Sequence, residues 1–108
     1  MNNCVSRNEG EFQVVSVSGE VDLSWSSDVR EAILDAISAN PAVLVELTDV
    51  HYIDSSGIAA LVEGYQTAKV KSVQFGLLQI SDAVRSVLEL ARLDQVFPIH
   101  ADISAAKG

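Results

Sequence analysis

Six consecutive residues, Ala42-Val43-Leu44-Val45-Glu46-Leu47, contain a single polar side chain. A run this short and this apolar is the pattern of a central strand covered on both faces. A strand of that kind needs other strands beside it and helices over it. Helical patterning supplies the cover on either side. Before the run, Val29, Ala32, Ile33, Ala36 and Ile37 recur at helical spacing. Asp28 followed by Glu31 matches a capping box in its Asp-x-x-Glu form. That helix is expected to end near Ala39-Asn40-Pro41, because proline blocks continuation. After the run, Ile58, Leu61, Val62, Tyr65 and Ala68 form the stripe of a second helix.

The remaining segments repeat the alternation. Residues 1–11 are polar and are expected to be frayed. Phe12 to Ser18 reads as a strand ended by Gly19, and Glu20 to Leu23 as a short further strand or a turn. Thr48-Asp49 reads as a turn, and Val50 to Ile53 as a brief extended stretch. Ser72 to Ile80 reads as another strand, and Ser81-Asp82 caps a third helix carrying Val84, Val87, Leu88 and Ala91 on one face. Val96 to Ile99 reads as a last short strand, placed at an edge by Pro98. Ala101 to Gly108 has room for one more helical turn. Strands alternating with helices imply an α/β domain with a mixed sheet of four or five strands and helices packed against it.

The 108 residues fit one domain. Residues 1–10 are expected to form a flexible segment and 11–108 the folded unit. Hydrophobic residues make up 48% and charged residues 20%, the balance of a globular chain. The single cysteine, Cys4, forms no internal disulfide, which favours a reducing, cytoplasmic setting. No Cys/His cluster has metal-ligand spacing, so no metal or cofactor is expected. The first residues lack an apolar run and do not read as a signal peptide. No stretch of about 20 apolar residues suggests a membrane span. Seven Lys+Arg face 15 Asp+Glu, a formal net charge of −8. That balance argues against nucleic acid and anionic membranes as partners, and favours basic patches on other proteins.

One junction is unusual. Asp54-Ser55-Ser56-Gly57 lies where an apolar strand passes into a helix. Asp and Ser are good N-caps and Gly permits close packing, so a purely architectural role accounts for the residue types. The functional alternative is an exposed site for an anion. Free amides and the positive end of the helix dipole favour a phosphate at that place. A helix is therefore expected to start within two residues of Ser56. Physics alone places both hydroxyls at that start.

At these residues the chain resembles the STAS-domain family, in its anti-sigma-factor-antagonist type. Val45 to Ile58 is similar to the family segment running from the central strand through its phosphorylation site. Gly19-Glu20-Val21-Asp22 resembles a Gly-Glu-hydrophobic-Asp step near the family's N-terminus. Ser81 to Phe97, ending in Leu93-Asp94-Gln95-Val96-Phe97, resembles its third-helix signature. The resemblance covers residues 11 to about 106 and implies a STAS-like fold. It further implies a partner switch. The unphosphorylated antagonist binds an anti-sigma factor that is also a serine kinase, and is released when that kinase phosphorylates the first serine of the motif. Here that serine is Ser55. A PP2C-type phosphatase resets the switch. Asp22, Asp54, Ser56, Gly57 and Ile58 match the surrounding switch or partner-binding positions. Two departures stand out: the Lys69-Val70-Lys71-Ser72 loop lacks the usual glycine, and the C-terminal helix is curtailed.

A STAS scaffold or transport-accessory module, binding partners without reversible phosphorylation, is the competing reading. Such relatives often lack a phosphorylatable serine, so Ser55 favours the switch. Hydrolysis by Ser55 or Ser56 with His51 or His100 as base finds no Gly-x-Ser-x-Gly elbow. No phosphate-cradling glycine loop is present either. No catalytic residue is assigned, and the chain is expected not to be an enzyme. Trp25 reads equally as a packing residue or as part of a partner surface.

Overall fold

A computed structural model describes residues 2–107; Met1 and Gly108 lie outside the described residues. Chain order is β1 (Asn3–Glu9), β2 (Phe12–Val21), α1 (Ser26–Ala39), β3 (Ala42–Ile53), α2 (Ser55–Val70), β4 (Gln74–Leu78), α3 (Asp82–Leu90), β5 (Ile99–His100) and α4 (Ile103–Lys107). The five strands form one mixed sheet in the order β1-β2-β3-β4-β5. β1 runs antiparallel to β2, and every other pair is parallel. The apolar run opens β3, which is central as its composition requires.

The topology explains where the helices go. Parallel strands advance in one direction from β2 to β5, and right-handed crossovers then place every connecting helix on the same face. α1, α2 and α3 accordingly share one core with that face. Val29, Ile33 and Ile37 of α1, Leu61 of α2, and Val84 and Leu88 of α3 pack over Val15, Val45, Leu47 and Leu77. The opposite face holds a smaller cluster of Phe12, Val14, Ala42, Leu44 and Leu78, covered by Ile103 and Ala106 of α4. Beyond α4 that face is polar. Glu46 there accepts hydrogen bonds from Ser16 and Arg7, the latter an ion pair at 3.2 Å.

Five sequence expectations change, the first being that Gly19 ends its strand: β2 runs on through it to Val21. Residues 1–10, expected as a flexible segment, supply β1. Its residues are mostly exposed, Val5 at 52%, so an edge strand facing solvent leaves no apolar alternation to read. The Asp28–Glu31 capping box does not form. α1 starts three residues earlier, with Trp25 as its N-cap, on a turn in which the Asp22 carbonyl accepts from the amides of Trp25 (3.0 Å) and Ser26 (2.8 Å). Thr48-Asp49 is not a turn but a bulge within the continuous β3. Pairing steps from Ser16↔Glu46 to Ser18↔Asp49, and from Gly19↔Val50 to Glu20↔Tyr52, so β3 carries an extra residue at each step. The last strand is Ile99–His100 rather than Val96–Ile99. It does lie at the sheet edge, and the Pro98 carbonyl accepts from the Leu77 amide at 2.8 Å.

The loop without its glycine also has a structural explanation. Ser72 adopts φ +59°. Its amide donates to the Lys69 carbonyl, and the Val73 amide donates to the Ala68 carbonyl. This is a Schellman ending with serine at the left-handed position. α3 ends the same way, with Arg92 at φ +60° and Leu93 bonded to the Leu88 carbonyl at 2.8 Å.

Candidate functional site

α2 begins at Ser55, one residue before Ser56, as expected. Asp54 is its N-cap. One carboxylate oxygen, Oδ1, accepts from the Ser56 amide (2.9 Å), the Ser56 hydroxyl (2.5 Å) and the Gly57 amide (3.2 Å). These bonds hold the Asp54 carboxyl below its ordinary range; the Ser56 hydroxyl contributes most, desolvation opposes it, and the amides of Gly57, Ser56 and Leu23 add to the lowering.

The two serines are therefore not equivalent. Ser56 is half-buried and its hydroxyl is committed to Asp54. Ser55 is exposed, and its hydroxyl has no side-chain partner among the described residues. Gly57 is buried because the helix start is pressed against the sheet. A Cβ there would lie 2.6 Å from Ile53 Cγ1, 2.8 Å from Val21 Cγ1 and 3.0 Å from the Val21 carbonyl. Ile58, at 8% exposure, points into the core and presents little to a partner.

Asp22 belongs to the neighbouring loop. Its Oδ1 accepts from the Ser24 amide (3.0 Å) and hydroxyl (2.6 Å), while its carbonyl launches α1. The Asp54 amide donates to the Val21 carbonyl at 3.2 Å, which ties this loop to the start of α2. The structure thus brings Asp22, Asp54, Ser55, Ser56 and Gly57 to one end of the sheet. Two residues that sequence reasoning did not mark join them. Leu23 is 79% exposed and Tyr52 is 50% exposed. Only their exposure distinguishes them from core residues, and exposure is not written in the local sequence. Trp25 packs partly against the core from the same loop. Glu20, exposed one residue before the end of β2, adds negative charge there.

His51 is exposed on β3, and His100 lies at β5 against Gly76, so no histidine is bonded to either serine. No group of three or more His, Cys, Asp or Glu among the described residues has the arrangement of a metal site. No described helix is long and apolar enough to cross a membrane.

Together these features define a class: small α/β domains with one antiparallel edge strand, three helices stacked on one face, and a capped hydroxyl-bearing helix start at the sheet end. Residues 5–106 match the STAS domain, and the chain belongs to that family. Among its relatives is the anti-sigma-F factor antagonist RsfB of Mycobacterium tuberculosis, 29% identical over 86% of this chain and 76% of the relative. The anti-sigma-B factor antagonist of Bacillus subtilis is 25% identical over 90% of this chain and 88% of its own length. A crystal structure of an anti-sigma factor antagonist from Mycobacterium paratuberculosis superimposes with a TM-score of 0.87 at 27% identity, covering 99% of this chain and 92% of that one.

Proposed function

We propose that this protein is an anti-sigma factor antagonist that works by partner switching, with Ser55 as the phosphoacceptor. The carrying observation is the division of labour between the two serines. Ser56 braces the cap through Asp54, whereas Ser55 offers a free, exposed hydroxyl on the first residue of α2. The names of the relatives and of the structural neighbour support the role. In this reading the unmodified protein binds an anti-sigma factor with serine-kinase activity in the cytoplasm, and a PP2C-type phosphatase restores it after phosphorylation. The surface around Ser55, with Asp22, Asp54 and the exposed Leu23 and Tyr52, forms the contact. The protein itself is not an enzyme.

A phosphate adds about −1.5 to −2 charges. Placed among Asp22, Asp54 and Glu20, it repels acidic groups nearby and packs poorly into a dry interface. A loss of about 3 kcal/mol weakens a complex by a factor on the order of 100. Incubation with the cognate kinase and ATP, followed by phosphosite mapping and affinity measurement, tests the proposal. Modification is expected at Ser55 alone. Ser55→Ala should bind constitutively and Ser55→Asp weakly. Modification only at Ser56 overturns the assignment. Equal affinity of Ser55→Ala and the phosphorylated protein would instead favour a scaffold or transport-accessory module without a switch.

A further inference from the structure

At the other end of α2 lies a cleft of about 450 Å3 that the switch does not use. Its apolar wall comes from Val62 and Tyr65 of α2 and from Leu93 and Phe97 of the segment after α3. Tyr65 sits edge-on to Phe97, with ring centroids 5.6 Å apart, and to Phe75 at 6.4 Å. On the same helix Leu61 and Ala68 are buried in the main core, and Val62 and Tyr65 pack partly against it. This apolar stripe runs along α2 from Val62. It ends in Val70, which is 85% exposed.

Polar groups on the rim give the cleft a chemistry. Gln66 and Lys69 line it beside Tyr65, and none of the three makes a side-chain hydrogen bond among the described residues. Lys69 is also without an ion pair among the described residues, as are Lys71, Arg85, Arg92 and Lys107. A cation at the last turn of a helix ordinarily answers the helix dipole. Here the carbonyls of Thr67, Ala68 and Lys69 are already occupied by the amides of Lys71, Val73 and Ser72. Lys69 lines the cleft with no side-chain partner among the described residues. An apolar-walled cleft of 300–1,000 Å3 with a few convergent polar groups is the ordinary form of a small-molecule site.

We propose that this cleft binds an amphipathic monocarboxylate, its apolar body along Val62, Tyr65 and Phe97 and its carboxylate at Lys69. The stripe from 62 to 70 spans about 12 Å of helix, the reach of a medium-length acyl chain or a flat aromatic acid. The site is remote in sequence from Ser55, at the opposite terminus of the same helix.

The probe is decanoate, titrated below its micellar range into the isotope-labelled full chain, with decanol as the neutral control. Saturable shifts are expected in residues 62–70 and 93–97, with decanol binding at least tenfold more weakly. Lys69→Gln should weaken decanoate about tenfold and leave decanol unchanged. Val96→Asp, a change at a rim residue that is 41% exposed, should abolish both. Ser55→Ala should bind decanoate like the wild type, so this result is independent of the switch. Shifts scattered elsewhere, equal affinity for decanoate and decanol, or no effect of Lys69→Gln overturn the proposal. Concentration-dependent shifts of the same residues without ligand would assign the cleft to a second copy of the chain and overturn it too.

Discussion

Gly57→Ala is the most searching single change to the switch architecture. The added methyl would sit 2.6 Å from Ile53 Cγ1 and 2.8 Å from Val21 Cγ1, where ordinary carbon contacts are about 3.5–4.0 Å. Both neighbours are buried, Ile53 at 4% and Val21 at 1% exposure, so neither side chain has space to retreat. The third neighbour is backbone, the Val21 carbonyl at 3.0 Å. Overpacking of this kind costs about 1–3 kcal/mol. Alanine returns up to about 1 kcal/mol through helix propensity. The net expectation is a loss of about 1–2 kcal/mol, a fall in Tm of roughly 5–15 °C for a domain of this size. Urea and thermal denaturation measure it. A cycle with Ile53→Ala isolates the cause, since that truncation makes room: the double variant should be more stable than the sum of the single losses by at least about 0.5 kcal/mol. A Gly57→Ala protein as stable as the wild type, or strictly additive losses, would refute the steric account.

Two other expectations follow from local geometry. Ser72→Gly and Arg92→Gly each place glycine at a left-handed helix ending and should stabilise the fold by about 1 kcal/mol, read as a higher urea midpoint at unchanged m. For pH, burial of Glu46 pushes its carboxyl up, but hydrogen bonds from Arg7 and Ser16 prevail and hold it below its ordinary value, as Ser56 does for Asp54. Lowered folded values mean this stability is present above the unfolded values, about 3.9 for Asp and 4.3 for Glu, and is lost as pH falls through the folded ones. Glu46→Gln should flatten the acid limb of a stability–pH curve below about pH 4.

What was legible in the sequence was whatever a local pattern could carry. The apolar run of β3, the Pro41 stop, the Ser81 cap and the Asp54-to-Gly57 junction each announce themselves through neighbours in the chain, and each is where the pattern placed it. β1 was missed because Asn3 to Glu9 has neither alternation nor an apolar run; its partner, β2, holds it in place. The start of α1 was misread because Asp28 and Glu31 are sound capping types, yet the Asp22 carbonyl had already captured the two amides that set the first turn. Thr48-Asp49 carries turn residues, but the chain absorbs them as a bulge. The difference lies in strand register, which only the sheet defines. The Lys69 cleft needs residues 62–70 and 93–97 side by side, a juxtaposition made by tertiary packing alone.

The two serines show how far identical chemistry diverges by one step along a helix. Both are serine, both sit in the first turn, and composition cannot separate them. At the first helical position the side chain is exposed with no side-chain partner among the described residues, and at the second it donates to Asp54 Oδ1. If Ser55 is the phosphoacceptor, its modification leaves the three bonds of Asp54 intact. The energetic cost then falls on the contact surface and not on the fold. Ser56→Ala should reveal the converse. It removes the hydroxyl bond that contributes most to holding the Asp54 carboxyl low, so it should raise the Asp54 pKa, seen by carboxyl NMR titration, while leaving Ser55 open to the kinase. An unchanged Asp54 titration in that variant would mean the backbone amides of Ser56 and Gly57 alone set the cap, and the distinct structural role given to Ser56 would fall.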